Sequence, residues 1–374
     1  MPAYLVGLGG FLVFVFLFAA NKNKIPYFET VFLFLSSLIL IFFMGTRSWY
    51  VGIDTRGYLA IFNNFSMTPF NAPVPSSISS MPGYRLLARI IGLIWGDEYQ
   101  LMILLLAIIS ISGLFYFIHK NSKNVVMSVV YFLLLYHYFS SWNGTRQYAS
   151  IAIALVAFQQ YKEKKYLLFV LLFAVAVALH NITTILLLFI LIDRIHWTRV
   201  KAGIFSCIIL VALFLQRYVV LAFTVLFPRY ATIYEDYITA GSLSLFGGEA
   251  QGRKMLVSMV FLAILAVLMW FADQQQLESR KTPKSFSLWF FSVVAILEVL
   301  IGIFFRNNTL LLRVQTPFSL LMIIFLPNVI ELIENFSYRV TAYFVSILLF
   351  FVPFYIQLAS LNNNGGIIPY QFFW

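Results

Sequence analysis

Polar residues enter this chain as interruptions of long apolar runs. The runs occupy 3–20, 27–46, 100–118, 125–140, 147–160, 166–179, 182–192, 202–227, 255–272, 286–305, 317–333 and 340–358. A helix needs about 20 apolar residues to cross about 30 Å of hydrocarbon, and most of these runs reach that length with their flanks. The pattern predicts an all-α fold: a polytopic membrane helix bundle of twelve segments, some short or re-entrant, with an outward-facing cavity. It also predicts one transmembrane domain over 1–374.

The run 166–192 sets a condition on this topology. It is apolar except for a break at His180-Asn181, and it is basic at both ends, Lys162 to Lys165 before and Arg194 to Lys201 after. Placing both ends in the cytoplasm makes it a hairpin with its tip at His180-Asn181. Each arm then reaches only about 16–21 Å, so the tip sits below the outer surface, in protein or in a water-filled cavity. The alternative is one long tilted helix with His180 near the midplane. The hairpin is the reading adopted here, and it puts both termini outside.

Two polar interruptions are long. Residues 47–99 begin with Arg47-Ser48-Trp49-Tyr50-Val51-Gly52-Ile53-Asp54-Thr55-Arg56-Gly57-Tyr58. They continue through a Pro/Ser-rich part and a short amphipathic stretch, Tyr84 to Trp95, that suits the membrane interface. Residues 228–254 carry Arg229, Glu235, Asp236 and Glu249.

Basic residues divide the connections. Lys22, Lys24, Lys120, Lys123, Lys162, Lys164, Lys165, Arg194, Arg199, Lys201, Arg280, Lys281, Lys284 and Arg339 fall in one alternate set, expected to be cytoplasmic. Arg47, Arg56, Arg85, Arg89, Arg146, Arg217, Arg229, Arg253, Lys254, Arg306 and Arg313 fall in the other. The totals, 14 against 11, are close, but the types are not: ten Lys and four Arg against ten Arg and one Lys. A hydrated point charge is enough to set topology, whereas a guanidinium fork binds phosphate through two donors. The Arg excess on one side therefore marks a site for an anionic, lipid-linked substrate. Arg85 and Arg89, at i and i+4 on the interfacial stretch, suit lipid headgroups instead.

Composition narrows the class. Hydrophobic residues make up 61% of the chain and charged residues 10%, against about 25% in soluble domains. The net charge of +11 suits anionic headgroups or phosphate. Nucleic acid is excluded as a partner, since no basic soluble face interleaved with aromatics exists. The single cysteine, Cys207, excludes a disulfide framework and a thiolate metal site. No Lys or Arg precedes the first apolar run, so the n-region of a signal peptide is not expected.

Several short motifs occur in a telling order. Arg47…Gly52-x-Asp54-Thr55…Tyr58 is followed by Asn143-Gly144-x-Arg146-Gln147. His180 ends an Ala-rich run, Arg313 heads a late span, and Pro369-Tyr370 comes last. In this order and placement the chain resembles the EpsG family, which groups with Wzy-type O-antigen and capsule polymerases. The resemblance covers roughly 45 to 373. It departs at Met81-Pro82-Gly83-Tyr84, where the family pattern has a Glu before the Gly-Tyr, so no role passes to that position.

The resemblance implies an integral-membrane glycosyltransferase at the periplasmic face of the bacterial inner membrane. It would join undecaprenyl-diphosphate-linked oligosaccharide repeat units, donor and acceptor alike, and release undecaprenyl diphosphate. A chain-length regulator and a flippase would be its partners. The residues are compatible with that chemistry. Negative charge grows on a diphosphate leaving group, and guanidinium groups in a low-dielectric cavity stabilise it without a metal. The outer carboxylates Asp54, Asp97, Glu98, Glu235, Asp236 and Glu249 are scattered, with no DxD pair, so no metal or cofactor is expected.

The candidate catalytic residues are His180 and Asp54, rival bases for a sugar hydroxyl. Packing is the plain alternative for His180, and turn capping for Asp54. The candidate substrate contacts are Arg47, Arg56, Tyr58, Asn143, Arg146, Gln147, Arg313 and Tyr370. A snorkelling role at a helix start is the plain alternative for Arg146, and an interfacial anchor for Tyr370. Glu298 is an acid within a span, expected either at a site or paired with an outer Arg. Two other functions stay open: an O-antigen ligase, and a lipid-linked oligosaccharide flippase or transporter. A flippase would carry charge along the full depth of its bundle, whereas here charge concentrates at one side.

Overall fold

A computed structural model describes residues 3–69, 82–195, 286–304, 311–359 and 366–374, with single helical positions between 200 and 225. The loop 228–254 and the runs 202–227 and 255–272 lie outside the described residues, apart from those single positions. In chain order the helices are α1 (Ala3–Ala20), α2 (Phe28–Gly45), α3 (Thr55–Ser66), α4 (Pro82–Trp95), α5 (Tyr99–Asn121), α6 (Val125–Leu134) and α7 (His137–Asn143). They continue with α8 (Thr145–Lys162), α9 (Tyr166–Leu179), α10 (Leu188–Arg194), α11 (Leu288–Phe304), α12 (Thr316–Leu320), α13 (Met322–Ile330) and α14 (Phe336–Ala359). The protein is all-helical, as expected; among the described residues strand-type pairing is limited to one isolated bridge, Arg47 with Phe372.

Twelve segments are expected; among the described residues three helices are long and apolar enough to cross a membrane: Phe28–Gly45, Tyr99–Asn121 and Phe336–Leu358. The expected segment 125–140 is a bent pair, α6 and α7 meeting at 55°. Tyr136 makes the bend with a left-handed backbone, φ 64°. Tyr166–Leu179, Leu288–Gly302 and Thr316–Ile330 are shorter apolar helices. The run 166–192 breaks where its polar pair predicts: α9 stops at Leu179, His180 is extended (φ −153°, ψ 112°), and 3-10 turns follow over Asn181–Leu187.

The chain divides into two compact units, residues 1–186 with 282–285 and 326–374, and residues 187–281 with 286–325. In the first unit, α5 and α8 lie side by side in the same direction. Gly113 lets them approach, since a Cβ there would lie 3.1 Å from the Ala152 Cβ and 3.2 Å from its carbonyl oxygen; small residues at such crossings bring backbones together. At their far ends Asn121 Nδ2 donates to Gln159 Oε1 at 3.1 Å. α2 and α9 run the other way, and Gly45 at the end of α2 packs against Leu104 near the start of α5.

This arrangement gives the first unit two chemically different ends. Lys22, Lys24, Lys120, Lys123, Lys162, Lys164 and Lys165 lie at the starts of α2, α6 and α9 and the ends of α5 and α8. Glu331 sits with them, accepting from Asn124 Nδ2 at 3.0 Å and Tyr343 Oη at 2.8 Å and pairing with Arg339 at 3.5 Å. Arg47 and Arg146 lie at the opposite ends of these helices, about 27 Å away along the 18 residues of α8, and Arg56, Arg85 and Arg89 are carried there by α3 and α4. The division by residue type in the sequence is thus a division in space.

The stretch 47–99 differs from the expected loop with one interfacial stretch: it forms two helices, α3 and α4. α3 buries Thr55, Tyr58, Phe62 and Phe65, a helical spacing, and its Ser66 backbone lies against Gly92 of α4. α4 leaves Leu86, Ile90, Leu93, Ile94 and Trp95 exposed, an apolar face suited to a membrane interface. Arg89 does not reach headgroups as expected. It is 3% exposed and donates through Nη2 to the Pro69 carbonyl at 2.8 Å, with its guanidinium 5.9 Å from the Phe65 ring.

In the second unit Phe189 of α10 packs edge-on against Phe290 of α11 and Phe318 of α12. Glu298 of α11, expected either at a site or paired with an outer Arg, accepts from Gln315 Nε2 at 2.8 Å.

Candidate active site

The arginine end of the first unit is built around a buried guanidinium. Helices leave their last carbonyls without partners, and α2 meets that need from outside itself. Tyr370 Oη donates to the Phe43 carbonyl at 2.9 Å, Gln100 Nε2 donates to the Gly45 carbonyl, and Arg47 Nη1 donates to the Met44 carbonyl. Arg47 has no exposed surface. Its Nη2 also donates to the Trp142 carbonyl at 2.9 Å and to Thr145 Oγ1 at 3.2 Å, and its guanidinium lies 5.8 Å from the Trp142 ring. Burial lowers its pKa to about 10, opposed by the nearby Tyr99, Tyr138 and Tyr370 hydroxyls, so it stays cationic at neutral pH. Arg47 thereby ties the loop after α2 to the turn between α7 and α8.

That turn carries the second motif. Asn143 Oδ1 accepts from the Asp54 backbone N–H at 3.3 Å. Gly52 has φ 98°, and a Cβ there would lie 2.6 Å from Thr55 Oγ1 and 3.1 Å from Asn143 Oδ1. The position requires glycine for backbone and for space. Asp54 occupies the N-cap position of α3 without a side-chain capping bond, half-buried. The segment 366–374 straps the loop from the other side: Ser48 N–H donates to the Gln371 carbonyl at 2.8 Å, Phe373 N–H to the Thr46 carbonyl at 3.1 Å, and Gly52 N–H to the Gly366 carbonyl at 2.9 Å.

Arg146 follows in the first turn of α8, 8% exposed, with its guanidinium 5.7 Å from the Tyr58 ring. Tyr58 is stacked obliquely on Tyr84 at 5.8 Å. Tyr84 Oη donates to the Tyr58 carbonyl at 3.0 Å, and Tyr99 Oη to the Thr55 carbonyl at 3.3 Å. Gln147 beside Arg146 is buried.

His180 closes the same region from α9 and is 8% exposed. Ser150 lies one turn along α8 from Arg146, on the same face. Its hydroxyl donates to the Ala176 carbonyl at 2.6 Å, lies 3.4 Å from the His180 carbonyl, and is bonded to the Thr183 hydroxyl. Gly83 lets α4 meet the end of α9, because a Cβ there would lie 2.8–2.9 Å from the Ala178 carbonyl group. Tyr84 and the histidine break are fixed against each other through that contact.

The structure therefore gathers Arg47, Asp54, Tyr58, Asn143, Arg146, Gln147, His180 and Tyr370 at one end of one unit. Arg56 stands apart on the exposed side of the loop, its guanidinium 5.1 Å from the Tyr50 ring. Arg313 is half-buried in a 3-10 turn of the second unit. Tyr84, Tyr99, Gln100 and Trp142 belong to the cluster without having been singled out as site residues. Gly83-Tyr84 could have been found, since it was noted as the place where the family pattern loses its Glu; Tyr99 and Gln100 read only as the head of an apolar run. Among the described residues no three His, Cys, Asp or Glu side chains gather where they could hold a metal ion.

An all-helical chain with apolar spans, and with cationic, phenolic and imidazole groups gathered at one end of them, is a membrane protein. The EpsG family profile matches residues 30–372, nearly the whole length, and the chain belongs to the EpsG family. Proteins of this family are Wzy-type polysaccharide polymerase-like, which makes this chain, at that level of description, a polymerase-type membrane glycosyltransferase of polysaccharide biosynthesis. No curated protein and no solved structure matches it.

Proposed function

We propose that the protein polymerises undecaprenyl-diphosphate-linked oligosaccharides at the periplasmic face of the bacterial inner membrane. The observation that supports this most is the placement of Arg146 in the first turn of α8 against Tyr58 and Tyr84, with the chain break at His180 held one turn along by Ser150, at the end of the bundle opposite the lysines. In this reading a hydroxyl of the acceptor sugar attacks the anomeric carbon of the donor. The hydroxyl proton passes to His180 or Asp54. A C–O bond forms, the anomeric C–O bond to the diphosphate breaks, and undecaprenyl diphosphate leaves with the electron pair. Arg146 stabilises the charge that grows on it; Arg313, in the second unit, is a separate candidate phosphate contact. Arg47 spends its donors on Met44, Trp142 and Thr145; it positions the turn that carries Asn143 and Arg146. Tyr58, Gln147 and Tyr370 shape the surroundings of the sugar.

The test is deletion of the gene in the organism that carries it. The expected result is a surface glycan reduced to a single repeat unit. Loss of all surface glycan points instead to the flippase or ligase reading and overturns this one.

A further inference from the structure

Outside the buried cluster the same loop forms a cleft of about 490 Å³, lined by Tyr50, Arg56, Gly366, Ile368, Pro369 and Gln371. That volume lies within the range of about 300–1,000 Å³ in which small-molecule sites fall. The two walls are held at a fixed spacing. Ser48 N–H bonds the Gln371 carbonyl at 2.8 Å and Gly52 N–H bonds the Gly366 carbonyl at 2.9 Å, so the cleft exists before any ligand arrives.

The lining has a particular chemistry. Tyr50 is 52% exposed and is backed, from outside the lining, by Trp49, with ring centroids 3.7 Å apart. Arg56 lies over the Tyr50 ring at 5.1 Å and is itself exposed. With the ring face engaged, its N–H edge remains available for oxygen acceptors. Gln371, also exposed, adds an amide that both donates and accepts. The apolar Ile368 and Pro369 beside planar, fork-like hydrogen-bonding groups match a pyranose, which presents a face of C–H groups and a rim of hydroxyls. The cleft carries too many hydrogen-bonding groups to suit a prenyl tail.

We propose that this cleft binds one or two sugar residues of the growing glycan, with a sugar C–H face against Ile368 and Pro369 and hydroxyl oxygens on Gln371 and on Arg56, which Tyr50 holds in place. The inference rests on the polymerase reading above and adds to it a holding subsite away from the reacting atoms. Such a subsite retains the chain between additions, so it governs polymer length.

The experiment uses the detergent-solubilised full chain. The probe is the oligosaccharide released by mild acid from the surface polymer of the cells that carry the gene. Tyr50→Ala and Gln371→Ala are each expected to weaken binding about tenfold, a change of about 1.4 kcal/mol. Tyr50→Phe keeps the ring and is expected to bind like the unaltered protein, which separates loss of the ring from misfolding. Tyr27→Ala, at an exposed ring outside the cleft, is the control for non-specific effects. In cells, Tyr50→Ala is expected to shorten the modal polymer length. Unchanged affinity in both Tyr50→Ala and Gln371→Ala overturns the subsite. Weakened binding to phosphatidylglycerol nanodiscs with oligosaccharide binding retained also overturns it, and makes the stack a headgroup anchor. The polymerase reading fails separately, if deleting the gene leaves polymer length unaltered.

Discussion

Arg47→Lys removes little charge and much geometry. The native guanidinium spans two groups of acceptors: the Met44 carbonyl through Nη1, and the Trp142 carbonyl (2.9 Å) and Thr145 Oγ1 (3.2 Å) through Nη2. A lysine ammonium at the end of its stem can serve one group but not both. At least one charge-assisted hydrogen bond is lost, about 1.5–3 kcal/mol, and a carbonyl is left buried without its donor. A net loss of about 3 kcal/mol follows, and an apparent melting temperature in detergent lower by roughly 4 °C. The damage should extend to function, because the released turn carries Asn143 and the start of α8 with Arg146. The assay pairs thermal unfolding of purified protein with the length distribution of surface polymer in cells. Melting within about 1 °C of the unaltered protein would show that Arg47 does not hold the loop to the α7–α8 turn.

Arg146→Lys and Arg313→Lys should each abolish long polymer while leaving protein level unchanged, since the bidentate fork is lost and the charge kept; normal polymer length in both removes the phosphate-binding role. Gly83→Ala should reduce polymer strongly, because its Cβ would press within 2.9 Å of the Ala178 backbone beside His180. Gly57→Ala, whose Cβ meets nothing within 4 Å, should leave polymer normal, and equal effects of the two would detach α4 packing from activity. In a Cys207→Ser background, a cysteine at Ile53 should react with an impermeant maleimide in intact spheroplasts, and one at Glu163 only after permeabilisation. The reverse pattern would turn the proposed orientation inside out.

Much of the arginine end was readable before any coordinates. The contrast between Arg and Lys connections survives because helices of similar length alternate direction, so residue type maps onto end. The break at His180-Asn181 was readable because two polar groups interrupt an otherwise apolar run. α3 was legible in retrospect, through the spacing of Thr55, Tyr58, Phe62 and Phe65, but the Arg, Asp and Gly around it read as loop chemistry. Arg89 was misplaced because a side chain that donates to a distant carbonyl looks, in sequence, like any other interfacial arginine. The bend at Tyr136 left no mark in sequence, since a tyrosine seldom adopts a left-handed backbone and only packing around it enforces one. The strap from 366–374 was equally hidden: it acts through main-chain groups, which every residue possesses.

That strap ties residues made near the beginning of synthesis to residues made long afterwards. Thr46, Ser48 and Gly52 emerge early, and their partners Phe373, Gln371 and Gly366 follow only after α14 has been threaded into place. A chain truncated before Gly366 would keep α2, α5 and α8 but leave the loop after α2 without three of its main-chain bonds.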